Sequence, residues 1–238
     1  MPTVAFVNPK GGAGKTTAAL LLALGLAERG HRVAMVDADP NRPLVHWASL
    51  PARPETVTVH PAPMEMDLPD ALREARSKAD WVILDTEGSA RAGLAFAVAK
   101  PDMVITPLAS STLEALQALK AAEMVHEASR KLRRPIIHAC LFTRLPAAIR
   151  PKSLRQVVEL LKGKGIAILP TAIVEKEAFR ALFAAGGDLA ALEACGTYGA
   201  GAARRNAEGY VDAVLALLDG DADDRSPSRG EEARAAGL

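Results

Sequence analysis

Apolar and polar positions alternate along this chain in two registers. Short, nearly unbroken runs of Val, Ile, Leu and Ala mark strand candidates at residues 3–8, 32–37, 56–60, 81–85, 103–106, 136–143 and 166–169. Between them lie helix-patterned segments at 15–29, 43–50, 68–78, 90–99, 112–132, 151–161, 176–185 and 202–218. Strands that read as continuous apolar runs are those covered by helices on both faces, and strand–helix alternation is the rhythm of a parallel sheet. Leu113, Leu116, Leu119 and Ala122 give the 112–132 helix an apolar stripe, and the turns at Gly30-His31 and 163–165 end helices ahead of strands. The pattern predicts an α/β fold: one three-layer domain over residues 1–218, with a mostly parallel twisted sheet flanked by helices. No internal repeat is visible. From Gly220 onward little remains to bury, so 219–238 is expected to be a disordered acidic tail.

The junction between the first strand and the first helix carries the chemistry. Lys10-Gly11-Gly12-Ala13-Gly14-Lys15-Thr16-Thr17 follows the apolar run Val4 to Val7 and opens the helical run from Ala18. Strand, glycine loop, helix is the setting of a phosphate cradle: the glycines let backbone N–H groups curl inward and the helix N-terminus adds positive potential. Lys15 is placed to reach the β- and γ-phosphates of a nucleotide, and the Thr16 hydroxyl to ligate Mg²⁺. The loop also departs from G-x-x-x-x-G-K-[ST]. Pro9 stands where the first glycine belongs, and a second lysine, Lys10, follows it.

With that second lysine the chain resembles the ParA/MinD class of deviant P-loop ATPases. The resemblance implies ATP and Mg²⁺ as ligands and a P-loop NTPase fold. It also implies Lys10 as a catalytic residue that reaches across a homodimer interface to the partner's nucleotide. Two further loops extend it. Asp37-Ala38-Asp39-Pro40 matches the family's D-x-D-P, which implies that Asp39 activates the attacking water and that Asp37 lies near the metal. Pro40 biases Asp39 toward extended backbone, although Asp before Pro also commonly makes an Asx-turn. Val82-Ile83-Leu84-Asp85 is a Walker B pattern, with Asp85 on Mg²⁺ through water and Gly88 offering an N–H to the γ-phosphate. Glu87 stands where many relatives have Pro or Ala, and its role is open. Thr106-Pro107-Leu108 resembles a loop at the dimer interface, and Thr143 and Arg144 occupy positions near the adenine base. So few residues precede the loop that the chain resembles the small, ParF-type partition ATPases, which lack a leading helix-turn-helix domain. The runs DADPNRPLVHW and EKEAFRALF resemble the partition-like ATPase of the Agrobacterium T-DNA transfer system.

Composition adds a partner. The chain of 238 residues has a formal charge of +1, but residues 130–164 hold ten Lys/Arg against one acid, Glu159, a net +9. Such a segment suits a polyanion or is simply a solvated surface; both readings stand. The family binds DNA nonspecifically as its ATP dimer, and Arg150, Lys152, Arg155, Arg204 and Arg205 are the candidate contacts here. A stimulating partner protein, centromere-binding or cargo-adaptor in type, is implied as well. Trp47 and Trp81 are expected in packing, and no aromatic interleaving supports base stacking. Cys140 and Cys195 form no C-x-x-C and are expected to be inert packing residues. No stretch approaches the ~18 apolar residues of a membrane span. The acidic end lacks the basic amphipathic helix of MinD-like regulators, so no membrane contact is expected and the protein is placed in the cytoplasm, on the nucleoid when ATP is bound. A metabolic ATP-dependent enzyme of the same fold is the alternative. A cluster-bridging reductase is excluded because 86–89 and 107–111 contain no Cys.

Overall fold

The computed structural model describes residues 1–87, 95, 96, 99–145 and 152–225. Eight strands form one sheet: β1 (Thr3–Phe6), β2 (Val33–Ala38), β3 (Val57–Pro61), β4 (Trp81–Thr86), β5 (Met103–Leu108), β6 (Ile137–Leu145), β7 (Ala167–Ile168) and β8 (Ile173–Val174). The spatial order is β3-β2-β4-β1-β5-β6-β7, with β8 paired to β6, and every pairing is parallel. All strands therefore point their carboxyl ends at one edge, where ligands of open α/β sheets bind.

The helices split between the two faces. One layer holds α1 (Lys15–Glu28), α2 (Pro43–Ser49), α6 (Glu177–Ala185), α7 (Leu189–Ala194) and α8 (Ala200–Arg225). Its core interleaves Val4, Phe6, Met35 and Ile83 of the sheet with Leu20, Trp47, Leu182 and Tyr210. The other layer holds α3 (Leu68–Lys78), α4 (Thr112–Leu132) and α5 (Lys152–Gly163). Here Ala5, Val36 and Leu84 meet Leu72 and Val125, and a third cluster sets Cys140 and Phe142 against Ala118, Val157 and Leu161. The three-layer domain is the one the apolar pattern predicts.

Four expectations change. The buried face of α4 is Glu114, Ala115, Ala118, Ala121 and Val125, whereas Leu113 and Leu116 are 58% and 47% exposed. The close approach of this helix to the sheet selects its small residues, so the front of the leucine stripe points outward. Thr106, Pro107 and Leu108 are buried in β5 rather than forming a surface loop. Cys140 is buried, and that burial pushes its thiol up to about 12, but Cys195 is exposed. Finally, α8 passes the expected 218 boundary and runs to Arg225. Nothing in the sequence up to Arg225 forbids helix. The segments β8 and α7 were not visible as patterns, being two and six residues long.

Candidate functional site: a phosphate loop and its carboxylates

The loop 8–15 leaves β1 at the carboxyl edge and is held by buried polar contacts. Asn8, fully buried, donates through Nδ2 to the Pro107 carbonyl at 2.6 Å and accepts at Oδ1 from the Lys10 N–H at 2.8 Å. Gly12 and Gly14 have φ of +77° and +88°, the left-handed region that a side chain would strain. Gly14 is the residue before α1, so the loop runs directly into a helix N-terminus. From β6, Thr143 donates its hydroxyl to the Ala13 carbonyl at 2.8 Å, and its side chain packs against Gly14. Thus Asn8 and Thr143 clamp the loop from its two ends.

The two lysines lie differently. Lys15 is 8% exposed and turns its ammonium onto the carbonyls of Asn8 and Lys10, at 3.4 and 3.3 Å. Burial lowers its pKa, and the charges of Asp85, Asp39 and Glu87 oppose that shift. Lys10 reaches the opposite way and forms a 2.6 Å ion pair with Oε1 of Glu114, in the first turn of α4. The Glu114 side chain is 5% exposed and its Oε2 has no partner among the described residues.

Three carboxylates stand at the carboxyl ends of β2 and β4. Asp37 and Asp85 are register partners on adjacent strands, both fully buried. Asp37 accepts at Oδ2 from the N–H groups of Leu44 and Val45, at 2.9 and 3.0 Å, and at Oδ1 from that of Asp39 at 3.3 Å. It therefore anchors the start of α2, whose first position is Pro43. Burial raises its pKa, and those three amides offset part of the shift. Asp85 has no such support: neither oxygen has a hydrogen-bond partner among the described residues. Burial pushes its pKa up to about 7, against the pull of the nearby Thr16 hydroxyl and Lys15. Asp39 is partly buried and accepts at Oδ1 from the N–H and side-chain amide of Asn41, at 2.8 and 3.0 Å. The Asx-turn is thus real, and it leaves Oδ2 without a hydrogen bond among the described residues.

These residues fit a Mg²⁺–nucleotide. An orphaned buried carboxylate beside a threonine hydroxyl is a donor set for an oxygen-coordinated cation that keeps several waters and takes phosphate as further ligand. Among the described residues no cluster of three or more His, Cys, Asp or Glu provides a self-sufficient metal site. Asp85 and Thr16 are the pair suited to the metal, and Asp37, the register partner of Asp85, also holds the start of α2 through its amide contacts. Next to the loop a cavity of about 290 Å³ is lined by Gly14, Thr17, Thr143, Arg144, Phe179 and Phe183.

Sequence-derived positions converge here for Lys10, Gly11, Gly12, Ala13, Gly14, Lys15, Thr16, Thr17, Asp37, Asp39, Asp85, Thr143 and Arg144; Gly88 lies outside the described residues. The DNA candidates do not converge within one subunit. Arg155 is on α5 and Arg204 and Arg205 on α8, in opposite helix layers. Arg204 faces the carboxylates of Glu28, Glu193 and Glu208 at 3.4–3.6 Å. Arg150 lies outside the described residues, as does the side chain of Lys152. Asn8 and Glu114 are the site residues that motif reading missed. Neither falls in a motif, and Glu114 meets Lys10 only through the fold.

A deviant phosphate loop, a Walker B aspartate and an all-parallel sheet define a ParA/MinD-type P-loop nucleotide-binding protein. The chain belongs to the VirC1 protein family, whose model matches residues 1–214. It is 33% identical to Protein ParA of Rhizobium radiobacter over 218 residues, covering 92% of this chain and 98% of that one. Two solved structures share its fold. The ATP complex of a Cyanothece McdA variant superposes with a TM-score of 0.68 at 18% identity, over 90% of this chain and 96% of the other. The MinD cell division protein of Aquifex aeolicus gives 0.67 at 14%, over 91% and 98%. The partition and positioning ATPases are thus this chain's family. No helix among the described residues is long and apolar enough to cross a membrane.

Proposed function

We propose that this protein is a Mg²⁺-dependent ATPase that dimerises on ATP, binds DNA nonspecifically as that dimer, and so segregates or positions a plasmid, chromosome or protein cargo. The observation that carries the reading is the loop bearing Lys10 and Lys15 set against the orphaned buried carboxylate of Asp85. Each residue has a step. The curled loop binds the phosphates by its N–H groups, and Lys15 leaves the two carbonyls for the β- and γ-phosphates. Bound Mg²⁺, held through Thr16 and Asp85, supplies charge neutralisation for the phosphate chain. Asp39, with one oxygen fixed by Asn41, offers the other to the attacking water as an orienting base. Lys10 releases Glu114 and crosses to the partner's nucleotide.

The outward Leu113 and Leu116, beside Lys10, support an apolar contact between two such subunits. Doubling the basic surface favours DNA because affinity rises steeply with phosphates neutralised. Arg155, exposed at the start of α5, and Arg205 are the contacts best placed to act; Arg204 is surrounded by acids. A partner protein that stimulates turnover completes the cycle, which is cytoplasmic and nucleoid-associated while ATP is bound.

Sedimentation and ATPase assays test this. Wild type should dimerise with a non-hydrolysable analogue and Mg²⁺, release phosphate slowly, and shift DNA only with ATP, less so as salt rises. Lys15→Ala should do none of these. A monomer at saturating analogue, or a gel shift indifferent to ATP, overturns the reading.

A further inference from the structure

The residue after Thr143 sits in a bulge of β6, where the register against β8 shifts between Thr143 and Leu145. Arg144 sits at φ +55°, a conformation that non-glycine residues rarely adopt. The bulge accounts for that backbone and re-aims the side chain out of the strand's alternation. The direction here is over the phosphate loop: Nη1 of Arg144 lies 3.9 Å from the point where a β-carbon on Gly12 would stand. Arg144 also lines the 290 Å³ cavity together with Gly14 and Thr17.

Its charge is uncommitted. Around this cavity and loop, Lys10 is paired with Glu114 and Lys15 is bonded to two carbonyls. Arg180 is gripped by Glu175 and Glu177. Arg144 and Lys176 have no ion pair or side-chain hydrogen bond among the described residues, and Arg144 is the one whose head group approaches Gly12. A planar fork of N–H donors poised over a glycine loop matches the oxygens of a polyphosphate in bidentate geometry.

We propose that Arg144 is a phosphate-binding residue acting within its own subunit: it grips the nucleotide's phosphate chain from above the loop and takes no part in reading the base. The proposal rests on the loop being a nucleotide site. It adds a third cation to the phosphates, supplied by β6 and distinct from the lysine lent by a partner.

Competition against a fluorescent ATP analogue tests it, with ATP, ADP and inorganic triphosphate as competitors. Hydrogen bonds to charged groups of this kind correspond to roughly 10- to 100-fold in affinity. Arg144→Ala should weaken ATP, ADP and inorganic triphosphate by similar factors in that range, and Arg144→Lys should recover part of the loss. Arg144→Gly relieves the left-handed backbone, so it should melt no lower than wild type and still lose the phosphate grip. If Arg144→Ala weakens ATP but leaves inorganic triphosphate unchanged, the arginine reads the base and the proposal falls. It falls equally if all three affinities are unchanged, or if the losses track a lowered melting temperature. Failure of wild type to bind ATP at all would instead overturn the nucleotide reading itself.

Discussion

Replacing Glu114 by Gln should tighten the ATP dimer. In the structure the Lys10 ammonium is 2.6 Å from a carboxylate of its own chain, and the same ammonium is the group proposed to serve the partner's nucleotide. Dimerisation must then break this pair in each subunit. Its strength can be bracketed. A hydrogen bond to a charged group contributes about 1.5–3 kcal/mol, an exposed ion pair about 0.2–1. Glu114 is buried but the Lys10 side chain is 51% exposed, and the screening that follows favours a value near the boundary, about 1 kcal/mol per subunit. Two subunits give about 2 kcal/mol, or roughly 30-fold in the dimer dissociation constant. Gln keeps the length and an accepting oxygen but removes the charge. Sedimentation equilibrium over a range of protein concentration, with saturating non-hydrolysable analogue and Mg²⁺, measures the constant directly. A Glu114→Gln protein that melts normally yet dimerises no better than wild type would refute the competition argument. One that dimerises worse would show that Glu114 positions Lys10 for the crossing.

Asp39→Ala should keep ATP-dependent dimers and lose phosphate release, because it removes the water-orienting carboxylate but no phosphate contact; turnover at the wild-type rate would reassign that role. Asp85→Asn removes a buried charge that has no hydrogen-bond partner. In chelator it should raise stability by about 1–3 kcal/mol, roughly 3–10 °C for a chain of this size, while abolishing the further gain that wild type shows with Mg²⁺ and ATP. Calorimetry in both conditions checks the two signs together. His138 is partly buried, bonded to Thr106 at 2.9 Å, and burial lowers its pKa to about 4. A histidine depressed in the fold binds its proton more readily when unfolded. Its contribution is present above the unfolded value near 6.5 and is lost as pH falls from there toward 4, up to about 3 kcal/mol. Urea titrations at pH 7.5 and 5 should show that loss reduced in His138→Gln.

The fold was legible because its signals are local and repeated. Apolar strands such as Trp81–Thr86 and the loop from Lys10 to Thr17 declare themselves by composition and spacing. Asp85 was legible for the same reason, since four apolar residues deliver it to the sheet edge. What escaped depends on distance in space. Glu114 lies 104 residues from Lys10, and nothing in either neighbourhood announces the other. The α4 stripe misled because periodicity reports a face and not which way it points: alanines at Ala115, Ala118 and Ala121 met the sheet instead. Asp37 had a motif position near the metal, yet its oxygens serve three backbone N–H groups, a use visible only once α2 is in place. The split of the arginines between layers was hidden because net charge along a chain carries no information about which side of a sheet each helix takes.

Helix α2 is short, but it is fastened at both ends. Asp37 grips its first turn, and Trp47, fully buried, donates its indole N–H to the Gly187 carbonyl at 3.2 Å, just after α6. Phe179 and Phe183 of α6 form a wall of the cavity beside the phosphate loop. The helix is thus a strut between the segment that carries Asp39 and the wall that would face the nucleoside. If the loop and cavity hold one nucleotide as proposed, loosening either fastening would uncouple hydrolysis from the grip on the nucleoside, because one helix joins the segments that would face its two ends.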